Sequence, residues 1–328
     1  MSSGAVLVVG GAGYIGSHMV KTLCEAGREV LVLDNLVSGH RDAVDERATL
    51  IEGDMSDRTA LDALFQRYPV SAVMHFAAFI EVGESVREPG KYYQNNVAAT
   101  LVLLEAMVKH GIDSCIFSST AAVYGEPRYT PIEEAHPREP INPYGRGKWM
   151  VEAMLEDYQR AHGLRSVSLR YFNAAGADLD GSLAERHDPE THLIPIVLEV
   201  AAGKRAHVAV YGRDYPTVDG TCVRDYVHVT DLCRAHLLAL RYLEEGGNSA
   251  AFNLGNGGGF SVREVIETAQ AVTGQAIEVV DGQRRKGDPA VLVADATAAR
   301  EVLGWQPEYT QMEPIVEHAW QAARKHLY

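Results

Sequence analysis

The run Ala5-Val6-Leu7-Val8-Val9-Gly10-Gly11-Ala12-Gly13-Tyr14-Ile15-Gly16 narrows the possible folds more than any other stretch. Five apolar residues lead straight into a glycine cluster. Such a run predicts a strand buried on both faces. A helical pattern follows from Tyr14 to about Glu25, and Gly27 is placed to end it. The glycine spacing is Gly10-x-x-Gly13-x-x-Gly16. Gly10 permits a tight turn, Gly13 lets backbone approach a pyrophosphate, and Gly16 lets helix pack close to strand. The helix N-terminus, at Tyr14 and Ile15, then offers free amides to phosphate.

The next strand carries the argument further. Glu29-Val30-Leu31-Val32-Leu33 ends at Asp34, 18 residues beyond Gly16. An acid there accepts from both ribose hydroxyls of an adenosine and repels a 2′-phosphate. The pattern therefore predicts an NAD site and not an NADP site. Thr49 to Gly53 predicts a third strand leading to Asp54 and Met55, with Asp54 placed to meet the adenine amino group.

Strand and helix patterns alternate onward. Arg58–Tyr68 reads as a helix and Ala72–Ala78 as a strand reaching Phe76 and Ala77. Tyr92–His110 reads as one long helix carrying Asn96, and Ser114–Ser119 as a strand carrying Ser118. Tyr144–His162 reads as a helix and Val167–Phe172 as a strand carrying Tyr171. This alternation predicts an α/β fold, a doubly wound parallel sheet of the Rossmann type, whose ligands bind beyond the carboxyl ends of the strands. From about Ala174 the loops lengthen and Gly, Pro, Asp and His increase. We expect an NAD-binding domain over 1–175 and a smaller C-terminal α/β substrate lobe over 176–328, with segments near 222–255 returning to the first.

Formal net charge is −14. That disfavours nucleic-acid or anionic-membrane partners, because phosphate-rich surfaces would be repelled. An anionic small molecule remains compatible where a few arginines gather. The cysteines Cys24, Cys115, Cys222 and Cys233 show no metal spacing and predict a reducing, cytoplasmic setting. No apolar run approaches the ~20 residues of a membrane span. His187 and His192 share a loop, but no His/Cys pair has ligand spacing beside an acid. They are expected to be solvated, with no metal site.

Tyr144-Gly145-Arg146-Gly147-Lys148 places a phenol and an ammonium at i and i+4, on one helical face behind Pro143. A free phenol titrates near ~10. A nearby ammonium and a positive nicotinamide ring predict a lowered value, about 3 units for about 4 kcal/mol of differential stabilisation. Tyr144 is thus the expected acid/base, Lys148 its electrostatic partner and holder of the nicotinamide ribose. Thr120 is the hydroxyl expected to bond a substrate oxygen and share a proton with Tyr144.

On these motifs the chain resembles the extended short-chain dehydrogenase/reductase family, and within it the branch that epimerises nucleotide sugars at C4. The likeness spans nearly the whole chain. It rests on Gly-Gly-Ala-Gly-Tyr-Ile-Gly-Ser-His at 10–18, Leu-Asp-Asn-Leu at 33–36, Val-Gly-Glu-Ser-Val at 82–86, Tyr-Tyr-Gln-Asn-Asn-Val at 92–97 and Leu-Arg-Tyr-Phe-Asn at 169–173. The most specific part is the run from Tyr211 to Tyr226, Tyr-Gly-Arg-Asp-Tyr-Pro-Thr-Val-Asp-Gly-Thr-Cys-Val-Arg-Asp-Tyr.

The resemblance implies interconversion of UDP-glucose and UDP-galactose on a retained NAD, through a 4-keto sugar that turns over in the pocket. It implies that Asp34, Asn35, Asp54, Phe76 and Asn96 hold the cofactor. It likewise implies that Asn173, His192, Leu193, Val210, Arg224, Arg285 and Asp288 hold the UDP-sugar, with Tyr211 against uracil. A pyrophosphate suits the fixed fork of an arginine. A homodimer is implied, pairing the helices at 92–110 and 144–162.

Three departures stand out. Val9 replaces a common Thr, Ile80 replaces a Lys of some members, and Leu292 occupies the position whose bulk limits room beside the sugar's C2. A Tyr there marks enzymes restricted to plain hexoses, so Leu292 predicts room for an N-acetyl group. Two rival functions would ask for different residues. A nucleotide-sugar 4,6-dehydratase needs carboxylates after the strand-five hydroxyl, where Ala121-Ala122 stand here. A non-catalytic NAD sensor on the same fold would not need Tyr144 and Lys148.

Overall fold

The structure, a computed structural model, describes residues 4–285 and 288–327. The glycine run folds as its spacing predicts. Strand β1 (Ala5–Val9) is buried along its whole length and leads into helix α1 (Tyr14–Glu25). Gly10 adopts φ +83, and a Cβ on it would lie 2.5 Å from the Ala77 amide nitrogen. A Cβ on Gly16 would meet the Gly10 carbonyl at 2.0 Å, so strand and helix approach to a distance only glycine allows.

The elements continue as β2 (Val30–Asp34), β3 (Thr49–Glu52), α2 (Arg58–Arg67) and β4 (Val70–His75). After these come α3 (Ala99–Lys109), β5 (Ser114–Thr120), α4 (Pro143–His162) and β6 (Arg165–Tyr171). Then follow α5 (Leu193–Ala201), α6 (Val229–Glu244), β7 (Ala250–Leu254), α7 (Val262–Thr273) and α8 (Met312–Leu327). The central sheet runs β7-β6-β5-β4-β1-β2-β3, all parallel. The order reverses between β1 and β4. The crevice beyond their carboxyl ends is where an open α/β sheet binds ligands.

The late segment 229–254 is part of this sheet layer. β7 pairs in parallel with β6, from Ala250 with Val167 to Leu254 with Tyr171. In the same layer, α6 lays Leu232, Ala235, Ala239, Leu240 and Leu243 into the core that holds Met19, Val20 and Leu23 of α1. A second core joins Ile194, Val197 and Leu198 of α5 to Val208, Val210, Val265, Ile266, Ile315 and Val316.

One expected element differs. The long helix predicted over 92–110 is a short turn at Pro89–Tyr92, a π-helical stretch at Tyr93–Ala98, and then α3. The cause is local. Asn96 turns inward, its Oδ1 accepting the Phe79 amide at 2.9 Å and its Nδ2 donating to the Phe79 carbonyl at 2.9 Å. Widened turns of this kind are common beside functional sites.

Among the described residues, five histidines are buried in the fold: His18, His75, His136, His228 and His236. Burial pushes His18 and His236 down to about 4, and His75 and His228 down to about 3. Below pH ~6.5 an unfolded chain takes up protons that these native rings refuse. Stability should therefore fall as pH drops from 6.5 toward 4. Urea midpoints recorded through that window should decline steadily, and a flat profile would contradict the neutral buried state.

Candidate active site

At the cofactor end, α1 starts without a side-chain cap or an acidic residue in its first turn. The first amides of a helix have no partner within it, so those of Tyr14, Ile15 and Gly16 stand ready for an anion. Gly13 caps the helix in extended backbone. Asp34 is buried and fixed: Oδ2 accepts the Ala12 amide at 2.9 Å and Oδ1 the Leu36 amide at 2.9 Å. Beside it, Asn35 Nδ2 donates to Asp54 at 2.8 Å. Met55 is buried below this edge. The Phe76 and Ala77 amides donate to the Val9 carbonyl at 2.8 and 3.0 Å, which closes the crevice from the β4 side. The fixed acid, the uncapped helix and the glycine cradle fit an unphosphorylated dinucleotide.

Two expected cofactor contacts have other partners. The Tyr14 hydroxyl donates to the Gly176 carbonyl at 2.7 Å, so only its backbone amide faces the cradle. Asn96 serves the loop after β4 through its two bonds to Phe79, and Asn95 also donates to it at 2.8 Å. Its part is to hold Phe76–Phe79 in place.

The chemical end is built by β5 and α4. Asn142 caps α4, its Oδ1 accepting the Gly145 amide at 2.8 Å, and Pro143 occupies the first turn. A Cβ on Gly145 would lie 2.4 Å from the Ala122 carbonyl oxygen. The helix therefore sits hard against the turn that follows Thr120, and Tyr144 meets the Thr120 hydroxyl. Thr120 Oγ1 also accepts the Ala122 amide at 3.1 Å. One helical turn on, Lys148 is buried, with Nζ donating to the Ser118 carbonyl at 2.8 Å and lying 4.9 Å from the Phe117 ring centre. Ser118 Oγ bonds the Tyr171 hydroxyl.

The expected lowered phenol is not found in the protein by itself. Burial pushes Tyr144 above its ordinary value, and the Thr120 hydroxyl only partly opposes this. Burial also holds the Lys148 ammonium down at about 7, with Glu152 acting against it. A lysine neutral by the pH at which the phenol ionises cannot stabilise the phenolate. A lowered phenol would need a further positive charge, which a bound oxidised nicotinamide would bring.

The remaining expected residues lie in the second lobe. Asn173 Nδ2 donates to the Asp225 carbonyl at 2.9 Å. Asp225, fully buried, accepts the amides of Asn256, Ala294 and Gly257 at 2.7, 3.1 and 3.2 Å and so ties three loops beside Arg224. Arg224 pairs with Asp288. The Arg285 guanidinium lies 4.0 Å from the Tyr211 ring centre. Val210 points into the lobe core, which leaves only its backbone for a ligand. Leu193 begins α5. Leu292 packs against the small cluster of Ala121, Val123, Tyr124 and Ile132, next to the catalytic turn.

His187 is not a solvated loop histidine, and His192, though partly open, is not free either. Both turn their Nδ1 atoms toward the carboxylates of Glu185 and Glu190.

A model of the NAD dependent epimerase/dehydratase family matches residues 6–255. The chain belongs to that family. Among its epimerase/dehydratase relatives is a protein of Lacticaseibacillus casei named UDP-glucose 4-epimerase, 51% identical over 98% of this chain and 97% of that one. A crystal structure of UDP-glucose 4-epimerase from Brucella ovis in complex with NAD is 50% identical. It covers 97% of this chain and 98% of that one, with a TM-score of 0.95. The UDP-Glc/GlcNAc 4-epimerase of Campylobacter jejuni is 44% identical, covers 98% and 100%, and has a TM-score of 0.87.

One group beneath the catalytic pair escaped the sequence reading. Glu152 accepts from Ser119 Oγ at 2.5 Å and from Arg170 Nε and Nη2 at 3.0 and 2.6 Å, all buried. Its signal was present: Glu152 follows Tyr144 and Lys148 at the same four-residue step, and Arg170 is a charge within a strand that is buried along nearly its whole length.

Proposed function

We propose that this chain is a UDP-hexose 4-epimerase that interconverts UDP-glucose and UDP-galactose and keeps its NAD through the cycle. The observation that carries the reading is the wall formed at the end of β5. There Tyr144 meets Thr120 and Lys148 is bonded to Ser118. On this reading the nicotinamide lies beside that wall, and Arg224, Tyr211 and Arg285 hold the UDP end of the substrate. When bound, the oxidised nicotinamide supplies reversible two-electron oxidation at hexose C4 and a positive charge beside the phenol.

The chain's own residues do the rest. The Tyr144 oxygen takes the C4 hydroxyl proton and returns it, with Thr120 holding the substrate oxygen. The Lys148 ammonium holds the ribose and, once charged, the phenolate. Arg224 and Arg285 meet the pyrophosphate, and Tyr211 stacks on uracil. Asp34 fixes the adenosine ribose and excludes a 2′-phosphate. Ala121 and Ala122 leave the elimination chemistry of a dehydratase without its carboxylates. Purified protein given UDP-galactose and no added cofactor should form UDP-glucose. An inert protein that still carries NAD would overturn this reading in favour of the sensor.

Leu292, beside the catalytic turn, leaves space that a tyrosine would fill. We expect comparable turnover of UDP-N-acetylglucosamine and UDP-glucose. Leu292→Tyr should lower N-acetyl turnover about 10-fold or more and spare the plain hexose. Undetectable wild-type turnover of the N-acetyl sugar would refute the assignment. The relative from Campylobacter jejuni, named for both sugars, is in keeping with it.

For assembly we propose a homodimer through α3 and α4. Leu101 on α3 is 38% exposed, and Trp149 and Met150 on α4 are 36% and 40% exposed. Large apolar groups on adjacent helices suit a two-fold four-helix contact. Light scattering at micromolar concentration should return twice the chain mass, and a monomer mass would exclude the pairing. The four free cysteines fit a reducing, cytoplasmic compartment. No described helix is long and apolar enough to cross a membrane.

A further inference from the structure

Residues 176–192 carry neither helix nor strand, yet four side chains of this loop converge on one point. Glu185 and Glu190 are almost fully enclosed, at 7% and 5% side-chain exposure, and His187 is at 22%. His192 is the most open, at 44%. His192 Nδ1 lies 2.5 Å from Glu185 and 3.5 Å from Glu190. His187 Nδ1 lies 3.1 Å from Glu185 and 3.8 Å from Glu190. One potential ligand atom from each residue falls within 4.8 Å of all the others.

These separations have a simple meaning. Four ligands at ~2.0–2.1 Å around a tetrahedral ion lie about 3.3 Å apart along each edge. The nitrogen-to-oxygen distances here scatter about that value. The orientation of His187 agrees: its Nδ1 is buried and 3.1 Å from a carboxylate oxygen, yet makes no hydrogen bond. Its nitrogen is aimed at the space between the carboxylates. Two imidazoles with two carboxylates match a borderline ion of the zinc type. Calcium and magnesium prefer all-oxygen sets.

The location gives such an ion something to hold. The His187 ring stands edge-on to Tyr14 of the glycine turn, 6.4 Å between ring centres. Arg186 pairs with Asp42 at 2.9 Å, and its carbonyl bonds His40 Nε2 at 2.9 Å. The loop thus spans from the cofactor lobe to Leu193, the first residue of α5. We propose that Glu185, His187, Glu190 and His192 form a structural site for one divalent ion of the zinc type, which fastens this loop over the glycine turn. The proposal stands on the loop's own side chains, and it gives the His192 ring to the ion in place of the UDP-sugar contact expected of it.

The test uses the holoenzyme with its dinucleotide, treated with a chelator and then titrated with Co²⁺ alone. The expected result is one Co²⁺ per chain with the visible bands of a four-coordinate site and no thiolate band. Zn²⁺ should displace it and raise the melting temperature. His187→Asn and Glu190→Gln should weaken uptake about 100-fold or more. Absence of stoichiometric uptake by the wild type would overturn the proposal, as would uptake unchanged in His187→Asn. Should a variant fail to fold, X-ray absorption on the Zn²⁺-loaded wild type decides: nitrogen and oxygen neighbours including imidazole support the site, and sulfur neighbours refute it.

Discussion

Tyr144→Phe should leave a folded protein that keeps its dinucleotide and loses about 10³-fold in turnover, within the span that positioned proton transfer contributes. The ring stays, so packing against the Thr120 turn is preserved, and only the proton-carrying oxygen is removed. The geometry leaves little scope for a substitute. Gly145 brings α4 so close to the Ala122 carbonyl that the phenol is held at the end of β5. Lys148 cannot replace it, because Nζ is bonded to the Ser118 carbonyl. Dinucleotide absorbance and product formation measured on one preparation separate the two effects. Near-wild-type turnover would remove Tyr144 from its assigned role.

The second large effect concerns stability. Glu152 and Arg170 form a buried ion pair, at 3% and 4% side-chain exposure, bonded onward to Ser119 and Tyr124. The chain of bonds continues from the Tyr124 hydroxyl to Asn253 at 2.7 Å and from Asn253 to the Ile132 carbonyl at 2.9 Å. It joins α4, β6, β7 and the loop after β5. Glu152→Ala strands a guanidinium without its counter-charge, which costs about 3–5 kcal/mol. For a chain of this size that corresponds to a drop of about 4–7 °C in melting temperature. Pairing it with Arg170→Met removes the stranded charge and should recover most of the loss. A single replacement costing under ~1 kcal/mol would mean that the pair is not desolvated as described.

The first half of the chain was readable because its strands are buried on both faces and its helices follow at regular intervals. β1 and α1 begin and end where apolar runs and glycines predict. The pairing of Tyr144 with Lys148, which we propose as catalytic, was readable because a four-residue step on a helix needs no tertiary knowledge. The widened turn at Tyr93–Ala98 was not, since it answers to a contact between Asn96 and Phe79 17 residues away. Nor was the depressed Lys148, because burial depends on how α4 docks. In the second lobe the strands at Val223–Arg224, Phe260–Ser261 and Val291–Leu292 are two residues each, too short to show a period. Helix α7 carried a legible start in the capping box of Ser261 with Glu264, which the reading passed over. The loop histidines eluded it for a related reason: the two carboxylates stand two and three residues from His187, and only the folded loop brings them to one point.

The last strand of the central sheet, β7, also governs how the protein can be made. During synthesis the edge of β6 has no neighbour until Leu254 has left the ribosome, about three quarters of the way through translation. Until then β6 is an open template for a strand from another nascent chain. That edge stays open while about a quarter of the chain, from Tyr171 to Leu254, is made, and a product truncated near residue 175 should aggregate before it can hold a nucleotide.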